Sequence, residues 1–425
     1  MKIEALHQRF LAHPHVCTDT RKITDDCIFF ALKGDNFNGN TYAAEALRKG
    51  AALAVVDESQ YAVSVNYILV EDVLSALQEL ATFHRNHSTA KVIALTGSNG
   101  KTTTKELINA VLSKKYATIA TVGNLNNHIG VPLTLLSITK DTEIAIVEMG
   151  ANHQKEIEFL CSIARPDFGY ITNFGKAHLE GFGGVEGVIK GKSELYDHLM
   201  ANNGAIFMNA DDSVQFEKLG NHIKKIGFST DKKDFYRISL VGADPFVKIE
   251  VEDLSITSQL IGSYNFTNCA AAIVMGKYFN VPLRDIKRAI ENYIPKNNRS
   301  QLLEHNGHSI ILDAYNANPT SMAAALENFQ GMNAERKIAF LGDMFELGET
   351  EAIEHQGIAN LAASMHFEDV FLIGENFYRT DVDLKKFGTF EAFAEYLAKN
   401  PVEKSANILI KGSRGMALER ILDLL

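Results

Sequence analysis

The chain has 425 residues, of which 46% are hydrophobic and 22% are charged, and its formal net charge at pH 7 is -10. At about 100–200 residues per domain, this length predicts about two to four domains and excludes a single small binding module. The ordinary composition excludes a mainly disordered chain. Because the acidic balance provides no general attraction to nucleic acid or to an anionic membrane, we predict neither partner and expect any anionic ligand to be held locally.

The cysteine pattern and the N-terminus point to an intracellular protein. The four cysteines contain no Cys-x-x-Cys pair, so we expect reduced and mostly buried thiols. No apolar segment follows Lys2, and no stretch reaches the roughly 18 uninterrupted apolar residues of a membrane span. We therefore predict a cytoplasmic protein without a membrane span, and we expect a monomer.

Short apolar runs typical of β-strands alternate with helical periodicity, which predicts an α/β fold with mostly parallel strands. In the first half of the chain these runs lie at 51–56, 92–95, 144–147, 168–172 and 205–208. The alternation resumes later and predicts a second doubly wound, Rossmann-like unit, with strands at 310–312, 338–341, 370–373 and 408–410.

Two segments predict domain boundaries. Residues 81–91 lose apolar content just before a strong strand, which is typical of a linker. Residues 293–301 contain Pro295 and interrupt the preceding helical pattern. We therefore predict a small N-terminal α/β domain, a central doubly wound domain and a C-terminal Rossmann-like domain, at residues 1–89, 90–296 and 297–425.

The segment TGSNGKTTT at 96–104 follows a predicted buried strand and precedes a helical pattern that starts at Lys101. Strand, glycine turn and helix are the context of a phosphate loop, although the pattern G-x-x-G-K-T is two residues shorter than usual. Gly97 and Gly100 allow the backbone N–H groups to approach phosphate oxygens. Lys101 would neutralise the β and γ phosphates and Thr102 would bind magnesium. The alternative is a β-to-α connection with a surface lysine.

Possible metal ligands follow the next strands. Glu148 lies at the carboxyl end of the run 144–147, where ligands collect in open parallel sheets, and could hold Mg²⁺ beside the loop. His178 lies on a glycine-rich loop after the run 168–172 and is a candidate second ligand, together with Glu148 and Thr102. The alternatives are an exposed strand-end carboxylate and a solvated histidine.

Lys192 lies on a predicted amphipathic helix whose buried side is marked by Ile189, Leu195 and Leu199. Taken alone, Lys192 would be interpreted as a surface lysine paired with Glu194 or Glu186.

Two further polar groups remain open to two interpretations each. Asn265 and Asn268 lie one turn apart at the start of a helix rich in small residues, where they either cap the helix or contact nucleotide. Near the C-terminus, KGSRG puts Lys411, Ser413 and Arg414 on another ligand-facing loop, with helix capping as the alternative for Ser413.

In their order along the chain, these segments resemble the Mur ligase family, the ATP-dependent amide-forming enzymes of peptidoglycan precursor synthesis. TGSNGKTTT resembles the family's phosphate loop, VEMG its metal-binding glutamate, TNFGKAHLEGFG its histidine loop and GKSEL the site of its modified lysine. GNLNNHIGVPLTLL at 123–136 resembles the loop and helix that precede that glutamate, and RSQLLEHNGHSIILDAYNANPTSMAAAL resembles the arginine and aspartate that clasp ATP. The resemblance covers nearly the whole chain.

Within the family, YNANP at 315–319 and FLGDMFELG at 340–348 resemble the subgroup that joins D-alanyl-D-alanine to UDP-N-acetylmuramoyl-tripeptide. The chain shows neither the Y-A-H-T-P-like segment nor the D-N-P-R loop expected of members that add the third amino acid. Near the N-terminus, CTDTRKITDDCIFFALKG resembles the UDP-substrate domain, with Thr20 and Arg21 at the family's Ser/Thr-Arg. Asn38-Gly39-Asn40 stands where the family often has Asp-Gly-His.

The resemblance implies ATP and Mg²⁺ as cofactors and an acyl-phosphate intermediate. It implies catalytic roles for Lys101, Lys192 and His178, with Lys192 carbamylated. It implies a metal-binding set of Thr102, Glu148, His178 and Lys192. It also implies a nucleotide site formed by Gly97, Ser98, Asn99, Gly100, Lys101, Thr102, Thr103, Asn268, Arg299 and Asp313.

Two other functions are considered. A folylpolyglutamate synthase-like ligase has similar chemistry but typically carries T-G-T-N-G-K-G-S in its loop, against Thr102-Thr103 here. A P-loop ATPase or nucleotide switch that makes no product would leave the roughly 90 residues before the loop without a role.

Overall fold

The computed structural model describes residues 2–296, 298–402 and 404–425. Within these residues the chain forms successive α/β sections, each built around its own mainly parallel sheet. The predicted α/β class is confirmed, and each predicted apolar run lies in or overlaps a strand. The predicted start of the C-terminal domain, residue 297, lies outside the described residues, and the two domain boundaries stay predictions.

The N-terminal section has a parallel sheet with strand order β1-β2-β5-β6 and a small β3-β4 hairpin. Leu6 and Phe10 of the first helix and Leu77 and Leu80 of the third are buried in its core. Its strands are β1 Val16–Cys17, β2 Ile28–Phe30, β3 Lys33–Gly34, β4 Phe37–Asn38, β5 Leu53–Val56 and β6 Tyr67–Leu69. Its helices are α1 Ile3–Ala12, α2 Ala43–Arg48 and α3 Val73–His87, with 3₁₀ turns at Thr20–Lys22, Gly39–Tyr42 and Ser59–Tyr61.

Residues 81–87 of the predicted linker belong to helix α3, so the connection between α3 and β7 consists of residues 88–90. Two polar side chains of α3, His84 and Arg85, are buried against the central section, whereas Asn86 and His87 are exposed. His84 Nε2 lies 2.8 Å from the Ile138 carbonyl oxygen, and Arg85 donates hydrogen bonds to the Ala164 carbonyl at 3.1 Å and to Asp167 Oδ2 at 2.8 Å. These contacts join the first two sections.

The central section is a doubly wound parallel sheet with strand order β13-β12-β11-β10-β7-β9-β8. Its strands are β7 Lys91–Thr96, β8 Thr118–Ala120, β9 Ile144–Glu148, β10 Phe168–Ile171, β11 Ala205–Asn209, β12 Lys225–Ser229 and β13 Tyr236–Arg237. Its helices are α4 Lys101–Leu112, α5 Gly130–Leu136, α6 Glu156–Ala164, α7 Leu179–Phe182, α8 Val185–Ala201, α9 Ser213–Leu219, α10 Asn265–Tyr278 and α11 Leu283–Glu291. Strand β7 lies at the switch point of the strand order, where ligands bind in such sheets.

An antiparallel sheet, which the alternation pattern did not predict, packs beside helices α10 and α11. It consists of β14 Ser239–Gly242, β15 Phe246–Val251 and β16 Leu254–Ile261. Val247, Ile249, Val251 and Ile256 bury its inner face. This sheet extends the hydrophobic core that supports helix α4 and the loop before it.

The C-terminal section has strand order β17-β18-β22-β19-β20-β21, with β17 antiparallel to β18 and the other pairs parallel. Its strands are β17 Gln301–His305, β18 His308–Asp313, β19 Lys337–Gly342, β20 Asp369–Ile373, β21 Lys385–Phe387 and β22 Asn407–Lys411. Its helices are α12 Pro319–Gly331, α13 Glu351–Ala363, α14 Glu375–Tyr378 and α15 Phe390–Lys399, with 3₁₀ turns at Gly348–Thr350, Arg414–Met416 and Leu418–Leu424. The carboxyl ends of β18 and β22 lie beside the central section.

Two expectations about the whole chain can be compared with the structure. The four cysteines are free and buried, as predicted. Among the described residues, no helix is both long and apolar enough to cross a membrane.

Candidate functional site

A cavity of about 880 Å³ separates the central and C-terminal sections. It lies at the carboxyl ends of β7, β9 and β10 on one side and of β18 and β22 on the other. Among the residues proposed from sequence, it is lined by Ser98, Asn99, Gly100, Lys101, Thr102, Thr103, Glu148, His178, Asn268, Arg299 and Asp313. The structure therefore brings together side chains that are far apart in the sequence.

The turn between β7 and α4 requires glycine at both predicted positions. Gly97 has φ +141° and Gly100 has φ +79°, conformations that side chains disfavour. A Cβ atom on Gly97 would overlap the Thr172 hydroxyl, and one on Gly100 would lie 2.6 Å from Asn268 Oδ1. The Thr172 hydroxyl also donates a hydrogen bond of 2.6 Å to the Asn99 carbonyl. The loop is therefore held open against the end of β10 with its backbone facing the cavity.

Lys101 is the first residue of α4, and its side chain folds back over the loop. Its Nζ donates hydrogen bonds to the carbonyl oxygens of Gly97 at 2.7 Å and Ser98 at 3.3 Å. Burial lowers the pKa of this lysine, an effect that the charge of Glu148 partly offsets. The interpretation as a surface lysine is wrong, since the ammonium group lies within the loop that would hold phosphate.

Glu148, at the end of β9, is 1% exposed, so it is not an exposed strand-end carboxylate. Its Oε1 accepts hydrogen bonds from the Thr102 hydroxyl at 3.3 Å and from Asn126 Nδ2 at 2.8 Å. Its Oε2 has no hydrogen-bond partner among the described residues. A hydroxyl and a carboxylate side by side at a phosphate loop are the protein ligands that Mg²⁺ uses with nucleotide phosphates, so these residues fit that ion.

His178 lies on the cavity wall and contacts the C-terminal section. Its Nδ1 is hydrogen-bonded to Glu346 Oε2, and the backbone N–H of Glu180 donates to the Glu346 carbonyl at 3.2 Å. The hydrogen bond from His178 lowers the pKa of Glu346. His178 is thus not a solvated loop histidine, because it joins the two walls of the cavity.

Lys192 on α8 is 0% exposed, and the interpretation as a surface lysine is wrong. Its Nζ donates a hydrogen bond of 2.9 Å to the Ala151 carbonyl and lies 4.9 Å from the centre of the Phe182 ring. Glu194 binds the backbone N–H groups of Lys155 and Glu158 instead of Lys192. Burial, and then the charge of Lys101, lower the pKa of Lys192 well below its ordinary range, which favours the uncharged amine.

Asn268 does not cap helix α10, whose N-cap is Tyr264. Its Oδ1 accepts a hydrogen bond of 3.0 Å from the Thr104 hydroxyl, and its Nδ2 donates one of 2.7 Å to Asn265 Oδ1. The side chain therefore ties α10 to the first turn of α4, directly against Gly100.

The C-terminal wall presents alternating charges. The Arg299 guanidinium lies 3.6 Å from the centre of the Tyr315 ring. Asp313 accepts hydrogen bonds from the Ser300 N–H at 3.0 Å and from Lys411 Nζ at 2.5 Å. The sequence predicts Lys411 on a loop, but the structure places it at the end of β22.

Ser413 lies in the loop after β22, and its interpretation as a helix cap is wrong. The Ser413 side chain makes no capping bond, and its hydroxyl oxygen accepts a hydrogen bond of 3.2 Å from the Phe345 N–H. The hydroxyl therefore joins this loop to the loop after β19.

Asn318 is a site residue that residue-by-residue reasoning missed. It caps helix α12 through Ser321, and its Nδ2 donates a hydrogen bond of 2.7 Å to Asn99 Oδ1 in the phosphate loop. The only signal in the sequence was its place in the segment YNANP at 315–319.

Thr20 and Arg21 lie in the 3₁₀ turn Thr20–Lys22 and are not among the residues lining this cavity. Arg21 is 86% exposed and bonded to Asp19 at 2.7 Å. Gly97 and Lys192 are also absent from the lining and support it from behind.

Comparison with known proteins gives matches along the whole chain. Residues 14–85, 95–276 and 298–414 match the family models described as Mur ligase family, catalytic domain; Mur ligase middle domain; and Mur ligase, glutamate ligase domain. The chain is 34% identical to the UDP-N-acetylmuramoyl-tripeptide--D-alanyl-D-alanine ligase of Bacillus subtilis and 33% identical to that of Escherichia coli. Each match covers 96% of this chain and 92% of the relative.

Solved structures agree with this result. MurF from Acinetobacter baumannii superposes with a TM-score of 0.85 at 30% identity, covering 96% of this chain and 93% of that one. MurF ligase from Thermotoga maritima in complex with ADP gives a TM-score of 0.83 at 27% identity, with 97% of both chains covered. From the family models and from relatives more than 30% identical over nearly its full length, we conclude that this chain belongs to the Mur ligase family.

Proposed function

We propose that the chain is an ATP-dependent amide ligase that joins D-alanyl-D-alanine to UDP-N-acetylmuramoyl-tripeptide in peptidoglycan precursor synthesis. The observation that carries this proposal is that Lys101, Thr102 and Glu148 face Arg299 and Asp313 across one cavity. The names of the relatives from Bacillus subtilis and Escherichia coli support the choice of substrates.

The cavity suits an acyl-phosphate reaction. A carboxylate is a poor electrophile in water, so ATP must activate it before an amine can attack. An oxygen of the tripeptide carboxylate attacks the γ-phosphorus and ADP leaves. The amine of D-alanyl-D-alanine then attacks the acyl carbon, phosphate leaves with the former carboxylate oxygen, and the amine releases a proton as the amide forms.

The phosphate loop supplies the positive field for the first step. Backbone N–H groups of the loop and the N-terminus of α4 would bind the phosphates, and Lys101 would neutralise charge on the transferred group. Its present hydrogen bonds to two loop carbonyls keep the ammonium group at that place. Thr102 and Glu148 would hold Mg²⁺, which when bound screens the phosphate charges.

Lys192 and His178 complete the proposed set. Burial lowers the pKa of Lys192 and so raises the fraction of uncharged amine, the form that reacts with carbon dioxide. The reaction would release a proton and leave a carbamate anion. This anion would then act as an additional metal ligand beside Glu148. His178 is held by Glu346 from the opposite wall, so it would be in place only when the two walls meet.

The other walls would bind the rest of the substrates. Arg299 and Asp313 face the cavity for contacts to the nucleotide, while Asn268 positions the start of α4 through Thr104. We propose that the N-terminal section, with Thr20 and Arg21, binds the UDP part of the larger substrate. We further propose that the protein works as a monomer in the cytoplasm, where ATP is available.

The test is phosphate release by the purified protein with ATP and Mg²⁺. Release that requires both UDP-N-acetylmuramoyl-tripeptide and D-alanyl-D-alanine, with the joined product detected by mass spectrometry, supports the proposal. Release without either substrate would indicate an ATPase, and release that requires glutamate and a folate would indicate the folylpolyglutamate synthase-like ligase.

A further inference from the structure

Helix α4 carries a second buried lysine, Lys105, which the proposed reaction does not use. The residue is 2% exposed, and its Nζ donates a hydrogen bond of 2.7 Å to the Thr121 carbonyl. The same Nζ lies 3.8 Å from Glu148 Oε2 and 3.9 Å from Glu106 Oε1. Glu148 lines the cavity but Lys105 does not. Lys105 thus approaches the carboxylate from the protein interior, behind the face that a nucleotide would meet.

The two oxygens of Glu148 have different surroundings. Oε1 accepts the hydrogen bonds from Thr102 and Asn126, whereas Oε2 has no hydrogen-bond partner among the described residues. Burying a carboxylate costs free energy unless an opposite charge compensates for the lost water. Lys105 places its ammonium group beside the oxygen that lacks a hydrogen bond.

Thr121 fixes the positions of both charged residues. Its carbonyl oxygen accepts the bond from Lys105, and its hydroxyl oxygen accepts a bond of 3.0 Å from the Glu148 backbone N–H. The Thr134 hydroxyl donates to the same hydroxyl oxygen at 3.3 Å. The distance between lysine and carboxylate is therefore set by the end of β8 and by α5, not by two mobile side chains.

We propose that Lys105 is a positioning residue that balances the charge of Glu148 and so prevents tight binding of a divalent cation until a nucleotide supplies phosphate oxygens. This inference rests on the proposed function, in which Thr102 and Glu148 are metal ligands. A cation that approaches Glu148 meets the repulsion of a fixed ammonium group at short range.

The number of protein ligands leads to the same conclusion. Over the described ranges, no group of three or more His, Cys, Asp and Glu side chains is arranged to hold a metal ion. Beyond the proposed ligands Thr102, Glu148, His178 and carbamylated Lys192, phosphate oxygens and water would therefore complete the coordination shell. Cation and nucleotide then raise each other's affinity by the same factor, while the charge of Lys105 keeps the affinity for the cation alone low.

The test measures binding of Mn²⁺, as a probe for Mg²⁺, to the full chain with and without ADP. Free Mn²⁺ is counted by electron paramagnetic resonance. Without ADP, Lys105→Met should bind Mn²⁺ about tenfold tighter or more than the wild type, because a repelling charge is gone.

Matched variants separate charge from structure. Lys105→Arg keeps the charge and should resemble the wild type. Lys114→Met makes the same substitution at an exposed lysine just after α4 and should have no effect. A second neutral variant, Lys105→Gln, carries the same expectation as Lys105→Met if the latter does not fold. Mn²⁺ affinity without ADP that is unchanged or weaker in the folded neutral variants would overturn the inference.

Glu148→Gln distinguishes this inference from the proposed function. If Mn²⁺ binding in the presence of ADP is unchanged by Glu148→Gln, the cation is not held at Glu148 and the proposed metal site itself is wrong. If that binding weakens but the neutral Lys105 variants bind Mn²⁺ without ADP no more tightly than the wild type, only the role of Lys105 is contradicted.

Discussion

The two walls of the cavity are built in different ways. The central wall contains one continuous segment, residues 98–103, whose conformation is held by glycines and by hydrogen bonds to backbone carbonyls. The C-terminal wall is assembled from side chains spread between Arg299 and Lys411, which reach the cavity through ion pairs and ring contacts. The comparison suggests that the central wall performs the chemistry and that the C-terminal wall binds and closes. Substitutions in the first should lower kcat, and those in the second should raise KM for ATP.

The largest effect is expected at Lys101. Lys101→Met should reduce kcat by about 10³-fold, because the charge that lies in the phosphate loop is lost from the transition state. Phosphate release with both substrates measures it. Lys114→Met is the control and should retain wild-type activity. A Lys101→Met enzyme with wild-type kcat would remove the phosphate loop from the mechanism.

Lys192→Ala should reduce kcat by about 10²-fold, since a buried anion near the metal site can no longer form. A short carboxylic acid added to the assay should restore part of the rate by occupying the space left by the side chain. The exposed Lys190 on the same helix provides the control, and Lys190→Ala should behave like the wild type. Full activity of Lys192→Ala without added acid would exclude Lys192 from the reaction.

Asn318 tests whether the two walls must be joined. Asn318→Ala removes both the helix cap and the bond to Asn99, so it should cost about 1 kcal/mol of folding stability and raise KM for ATP about five- to tenfold. Asn318→Ser can keep the cap but cannot reach Asn99. It should therefore retain stability, measured by denaturant unfolding, and still show the raised KM. A wild-type KM in both variants would mean that the bridge is irrelevant to ATP binding.

The smallest effect is expected at Tyr315. Tyr315→Ala should raise KM for ATP about fivefold, because Arg299 loses the ring that orients its guanidinium group. Tyr315→Phe keeps the ring and should match the wild type in the same steady-state assay. A change in kcat instead of KM would contradict the assignment of binding to this wall.

Much of the fold could be predicted because strands of doubly wound sheets appear as separate apolar runs. The runs at 92–95 and 338–341, for example, became strands β7 and β19. The antiparallel sheet β14–β16 escaped prediction because β15 and β16 largely alternate buried and less buried residues instead of forming apolar runs, and because the three strands follow one another without intervening helices. Residues 81–91 were predicted to be a linker because they are polar. The prediction failed for residues 81–87, which belong to α3, because His84 and Arg85 are buried by hydrogen bonds to groups far along the chain.

The same distinction applies to the site. The phosphate loop is local, so residues 97–102 could be recognised from their own spacing. Burial of Lys192 and the Asn99–Asn318 bond depend on the packing of sections that are distant in sequence. Spacing alone contains no information about such contacts, and for Lys192 it favoured the surface interpretation.

The most direct measurement follows the oxygen atoms of the tripeptide carboxylate. UDP-N-acetylmuramoyl-tripeptide labelled with ¹⁸O in its terminal carboxylate is incubated with ATP, Mg²⁺ and D-alanyl-D-alanine, and the released phosphate is analysed by mass spectrometry. Phosphoryl transfer to the carboxylate predicts that each phosphate carries one labelled oxygen. Release of unlabelled phosphate during product formation would contradict the acyl-phosphate route.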